Sequence, residues 1–177
     1  MSGPDSAVGP AGPAFPAVRR DDASASFFDA AACGQLLVRR CPASGDVLAP
    51  EARTCPSCGS AGLDDVVASG RGTLVSWAVV HQAPVPSLAA AVPYVSVVVE
   101  LAEGPWLLAR LVESDASGLR AGTEVEVRFV RSGEPLAVPA GEVLPAFAVA
   151  SRPGEPVSTR AGVASETPGA GGGETST

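Results

Sequence analysis

Two short segments hold the residues best suited to chemistry: Cys41-Pro42-Ala43-Ser44-Gly45 and Cys55-Pro56-Ser57-Cys58-Gly59. A metal knuckle needs two thiolates two residues apart, so that a tight turn aims both sulfurs at one ion. Proline presets that turn, and glycine after the second cysteine accepts a positive φ. The second segment meets every requirement. The first keeps the proline and the glycine but carries Ser44 in place of the second thiolate. A serine hydroxyl stays protonated near neutral pH, where a thiol ionises on binding, so it is the weaker zinc ligand. The expected site is a zinc held by Cys41, Cys55 and Cys58, its fourth position filled by Cys33, Asp46, Ser44 or water. Beside it stands the alternative of a ribbon that folds without metal, because closed structural sites have four protein ligands.

Other reactive groups are sparse. His81 is the one histidine in the sequence, so any serine or cysteine triad would have to use it, and no nucleophile at a supporting spacing accompanies it. Its place after a strand and before a proline-rich loop suggests a loop contact. Arg71, Arg110 and Arg128 could meet phosphates, since guanidinium matches phosphate oxygens; for Arg128 a solvated strand charge beside Glu124 and Glu126 is the simpler reading. Trp77 and Trp106 read as barrel core or its rim. Cys33 reads as a small buried apolar residue at a helix end, and Gly70-Arg71-Gly72 as the entry to a barrel.

These residues need elements to position them. Ser26-Phe27-Phe28 followed by alanines predicts a short helix ending near Gly34, and residues 36–40 a strand leading into the first knuckle. Strands follow at 73–81, 94–101, 106–112, 123–129 and 143–149, with a turn at 102–105 making the second and third a hairpin. Residues 123–129 alternate polar and apolar, which marks a strand with one wet face. Five strands with a turn-rich link at 115–122 fit a small closed barrel of the OB type. The fold class is therefore mainly β: a short N-terminal helix, a rubredoxin-like zinc ribbon, then a five-stranded OB-fold barrel. The expected division is a disordered tail over 1–26, helix plus ribbon over 27–65, barrel over 66–150 and a second disordered tail over 151–177.

Composition narrows the partners. The net charge of −7 with 12 basic residues, all arginine, disfavours nucleic acid, whose binders gather a basic face. No run of eighteen or more apolar residues suggests a membrane span, and no basic-then-apolar leader is visible, so a cytoplasmic protein is expected. In a reducing compartment, cysteines at knuckle spacing bind metal more often than they pair.

Read in order, Phe27-Phe28, Gly34-Gln35-Leu36, Cys41, Pro50, Cys55, Cys58, Gly70-Arg71-Gly72-Thr73, Val80-His81, Pro93-Tyr94, Glu100-Leu101, Glu103-Gly104-Pro105, Leu111-Val112, Gly122 and Pro145-Ala146-Phe147 resemble a known family. Its members are bacterial and archaeal proteins with an N-terminal rubredoxin-like zinc ribbon and a C-terminal OB-fold that accompany thiolases. The resemblance implies a non-catalytic accessory subunit that docks on a thiolase-like or acyl-CoA hydratase-like protein, or an aldolase, and helps to hold or channel acyl-CoA. Neither nucleic acid nor membrane is an expected partner. Ser44 departs from the family's metal site and leaves its fold untouched. Two alternatives remain: a nucleic-acid-binding OB module, which needs aromatic and basic residues on one face, and a zinc enzyme acting alone, which needs a general acid or base.

Overall fold

The computed structural model describes residues 15–133 and 141–150. Helix α1, Ala25–Ala32, is short and buries Phe28 and Ala31. Its N-cap is Ser24, whose hydroxyl is engaged by Asp21 instead of the helix. At the other end Gly34 adopts φ 73°, and the Gly34 and Gln35 amides donate to Ala31 and Ala30 carbonyls at 3.0 and 2.9 Å. This left-handed stop turns the chain straight into β1, Leu36–Arg40.

β1 is the centre of a three-stranded antiparallel sheet, flanked by the two-residue β2, Val47–Leu48, and by β3, Asp64–Ala68. β3 runs across the division expected at residues 65 and 66, because Leu36 pairs with Ala68 and Arg40 with Asp64. The strand thus belongs to the ribbon sheet along its whole length.

β4, Arg71–Val80, β5, Tyr94–Leu101, β6, Trp106–Leu111, β7, Glu124–Arg131, and β8, Val143–Val149, close into a barrel of order β4-β5-β6-β8-β7. Every expected strand is present within two residues at each end. One pair, β6 with β8, is parallel, and the rest are antiparallel. At Gly72, β4 is paired on both sides, with Leu101 of β5 and Val125 of β7. A Cβ there would lie 2.5 Å from the Glu100 carbonyl oxygen, so only glycine lets the three strands converge.

Alternation fills the barrel. Val95, Val97, Val99 and Leu101 of β5 are buried, as are Leu74, Leu107, Leu111, Val125 and Phe147. Leu36, Val38 and Ala68 of the ribbon sheet join the same apolar cluster. Ribbon sheet and barrel therefore share one core.

The expected N-terminal tail is too long. Residues 1–14 lie outside the described residues, as does the C-terminal tail from 151, but residues 15–24 lie on the barrel as an arm. The Gly133 amide donates to the Phe15 carbonyl at 2.7 Å, and the Val18 amide to the Ser132 hydroxyl at 3.0 Å. Phe15 meets Tyr94 edge to face at 5.0 Å and covers the Arg110 guanidinium at 4.5 Å. A few well-placed contacts hold the arm despite its low apolar content.

Candidate metal centre

Each knuckle is built by its own backbone. The Gly45 amide donates to the Cys41 carbonyl and the Gly59 amide to the Cys55 carbonyl, both at 2.8 Å, with Gly45 at φ 82° and Gly59 at φ 72°. A second bond ties each loop shut: the Cys41 amide to the Asp46 carbonyl and the Cys55 amide to the Ser60 carbonyl, again at 2.8 Å. The first loop keeps the knuckle geometry although Ser44 has replaced a ligand.

β1 and the loop before β3 bring the two turns face to face. The sulfurs of Cys41, Cys55 and Cys58 lie within 4.8 Å of one another, Cys41 and Cys55 buried and Cys58 exposed. The Cys41 and Cys58 sulfurs are 3.6 Å apart. Ser44 Oγ lies 3.3 Å from Cys55 Sγ, and that thiol donates to Asp46 Oδ2 at 3.4 Å. Cys33, expected to be buried, is instead exposed at the end of α1, where the chain leaves the helix, and is not part of the thiol group.

The electrostatics favour a cation. Hydrogen bonds from the Ser44 hydroxyl and amide bring Cys41 down to about 6, against the opposing pull of burial. At Cys58 the Ser60 amide favours the thiolate, but the neighbouring Cys41 and Cys55 outweigh it and push the thiol up. Asp46 is held below the usual carboxylate range by the Ser57 hydroxyl, then by Ser44 and Cys55. Three converging thiols with one ready to ionise suit a thiophilic ion, and the donor set fits zinc. Cys41, Cys55 and Cys58 would hold it, and the ion would supply a cross-link between loops that make few apolar contacts.

The other residues singled out in the sequence are scattered. His81 is exposed just past the end of β4. Arg128 pairs with Glu126 at 2.6 Å and with Glu113 at 3.8 Å, as a solvated strand charge would. Arg110 is half-buried under Phe15, and its burial lowers it from the usual arginine range. Arg71 borders a 650 Å³ cleft whose rim carries Glu100, Glu124 and Glu126, a poor setting for phosphate.

Neither tryptophan fills the core. Trp106 is 58% exposed and Trp77 36%, because Leu74, Val99 and Phe147 already occupy the interior. Leu108, which the sequence reading passed over, is 78% exposed. It pairs with Val98, and Trp106 with Glu100, on the outer face of the β5–β6 hairpin. The signal was present in the run Trp106-Leu107-Leu108, which is apolar on both faces of a strand. Beside this face, α1, the ribbon and β6 enclose a 430 Å³ cavity lined by Phe27, Leu107, Ala109, Pro145, Arg39 and Arg53 among others.

Comparisons with known proteins agree with this architecture. Residues 65–130 match the family model of the ChsH2 C-terminal OB-fold domain. A probable enoyl-CoA hydratase alpha subunit of Thermomonospora curvata is 36% identical over 124 residues, 70% of this chain. The match spans only 38% of that protein's length. A DUF35 domain-containing scaffold protein of Methanothermobacter thermautotrophicus is 33% identical over 91 residues, covering 51% of this chain and 68% of that one. Among solved structures, a chain of the Ltp2-ChsH2(DUF35) aldolase superposes with a TM-score of 0.60 at 34% identity, over 76% of this chain and 98% of its own. With the barrel, the cysteine loops and these relatives in accord, the chain belongs to the DUF35 family of OB-fold scaffold proteins.

Proposed function

We propose that this protein is a non-catalytic accessory subunit. It docks on an acyl-CoA-processing enzyme, thiolase-like, aldolase or hydratase-like, and helps to hold or channel the acyl-CoA intermediate. The observation that carries the reading is the outward pair Trp106 and Leu108 on the β5–β6 hairpin, together with the likeness to a chain of the Ltp2-ChsH2(DUF35) aldolase. Large apolar side chains left in water beside a polar rim mark a protein interaction face. A tryptophan is well suited to anchor such a face.

The cavity next to this face supports the acyl-CoA part of the reading. Its volume is in the range of ligand sites, and its lining combines Phe27, Leu107 and Pro145 with Arg39 and Arg53. An acyl-pantetheine arm suits the apolar wall, and guanidinium groups suit phosphate at the mouth. Arg39 is shared with Asp65 at 2.6 Å, which tempers its charge. A nucleic-acid role has less support, since the open cleft beside Arg71 is rimmed by glutamates. No helix among the described residues is long and apolar enough to cross a membrane; a cytoplasmic setting beside its enzyme is part of the same proposal.

The test is co-expression of the full chain with thiolase-like, aldolase and hydratase-like proteins of its own host, followed by size-exclusion chromatography with light scattering. One of them should co-elute with it, and Leu108→Asp should abolish co-elution while His81→Ala leaves it intact. Turnover of an acyl-CoA by the purified chain alone, lost on changing His81 or Cys58, would overturn the proposal.

A further inference from the structure

We propose that Asp46 supplies the fourth ligand of the metal centre, so that the site is three thiolates and one carboxylate, with Ser44 left as a hydrogen-bond donor beside it. The inference is independent of the docking role.

The donor inventory leads to it. Two side-chain oxygens approach the thiols: Ser44 Oγ, 3.3 Å from Cys55 Sγ, and Asp46 Oδ2, 3.4 Å from the same sulfur. Only the second is an anion. Zinc takes carboxylate oxygen as well as cysteine sulfur and histidine nitrogen, whereas a neutral hydroxyl is a weak donor to it. A carboxylate also restores the charge of a four-thiolate site, which a serine hydroxyl does not.

Placement leads the same way. Asp46 stands one residue after Gly45, at the point where the first loop closes through its carbonyl onto the Cys41 amide. Its backbone is therefore fixed by the same hydrogen bond that shapes the knuckle. Its carboxylate reaches across to the second loop, where it accepts from the Cys55 thiol and from the Ser57 hydroxyl. The contact puts a carboxylate oxygen 3.4 Å from a sulfur that would itself ligate the ion. Asp46 stands outside the group of three sulfurs within 4.8 Å of one another, so ligation requires its carboxylate to turn from the Cys55 sulfur toward the ion. Cys33 lies at the end of α1, outside the thiol group.

Zinc affinity of the full chain, measured by chelator competition, separates the candidates. Asp46→Asn should weaken binding by more than about 100-fold, and Ser44→Ala by no more than about 10–100-fold, the range that loss of a supporting hydrogen bond costs. X-ray absorption of the zinc-loaded natural chain should fit three sulfurs near 2.3 Å and one oxygen near 2.0 Å, distances usual for zinc. That measurement stands even if a variant fails to fold. Four sulfurs would overturn the proposal in favour of Cys33. An affinity sensitive to Ser44→Ala but not to Asp46→Asn would overturn it in favour of the hydroxyl. Insensitivity to both would overturn it in favour of water.

Discussion

Arg20 grips Glu142 with two parallel hydrogen bonds, Nε to Oε1 at 2.8 Å and Nη2 to Oε2 at 2.7 Å, and so ties the N-terminal arm to the chain just before β8. The same guanidinium also contacts Asp29 of α1 and lies 5.9 Å from the Phe28 ring. One arginine thus joins arm, helix and barrel. Deleting residues 1–24 removes this clamp, the Val18–Ser132 and Gly133–Phe15 bonds and the Phe15 packing on Tyr94. The truncated chain should melt at least about 5 °C lower, which in a domain of this size corresponds to about 1 kcal/mol. An unchanged melting curve would return the arm to the status of a dispensable tail.

The clamp also has a pH signature. Hydrogen bonding to Arg20 holds Glu142 below its ordinary value of 4.5. A carboxyl depressed in the folded state stabilises fully above its unfolded value and loses that contribution as pH falls through the folded value. Between pH 7 and pH 3 the natural protein should therefore lose more of its melting temperature than Glu142→Gln does. Because the pair is exposed to solvent, the difference should be small and should shrink in high salt. Equal losses in both proteins would show that the bidentate pair carries no linkage.

Ser44→Cys rebuilds the four-thiolate knuckle pair on a backbone that already has the required turns. Zinc affinity should rise by about tenfold or more, read by chelator competition. In that background Asp46→Asn should cost little, because the new thiolate has taken the fourth position. A large cost that persisted would make Asp46 a structural acceptor for Ser57 and Cys55 instead of a ligand.

Gly72→Ala should lower stability by about 1–3 kcal/mol, the usual penalty of overpacking. The added carbon would meet the Glu100 carbonyl at 2.5 Å and a Val99 methyl at 2.7 Å. Backbone paired on both sides cannot give way cheaply. Chemical denaturation measures it, and a midpoint within error of the natural protein would show that β4 can shift against β5.

Leu108→Asp should leave the melting temperature within about 2 °C of the natural value, since surface changes on a wet face are near neutral. Partner binding should fall in the same variant. A folded variant that still binds its enzyme would move the docking face elsewhere.

Most of the architecture was legible because it is encoded locally. Pro42, Pro56, Gly45 and Gly59 specify two knuckle turns without reference to the rest of the chain, and the alternation of residues 123–129 announces a strand with one wet face. The order of helix, ribbon and barrel follows from where those local signals fall. Three features depended on tertiary structure. Phe15 and Arg20 sit in a segment too poor in apolar residues to register as part of a core, and Arg20 meets its partner 122 residues away. The run Trp106-Leu107-Leu108 shows that one face will be apolar and exposed, but which strands cover the other face is decided by barrel closure through the parallel β6–β8 contact. In the sequence, Asp46 is one of four candidates for the fourth position, and only the meeting of the two turns brings Cys55 against it. Periodicity and turn chemistry act over a few residues, whereas a clamp, an outer face and a fourth ligand are made by distant residues meeting in space.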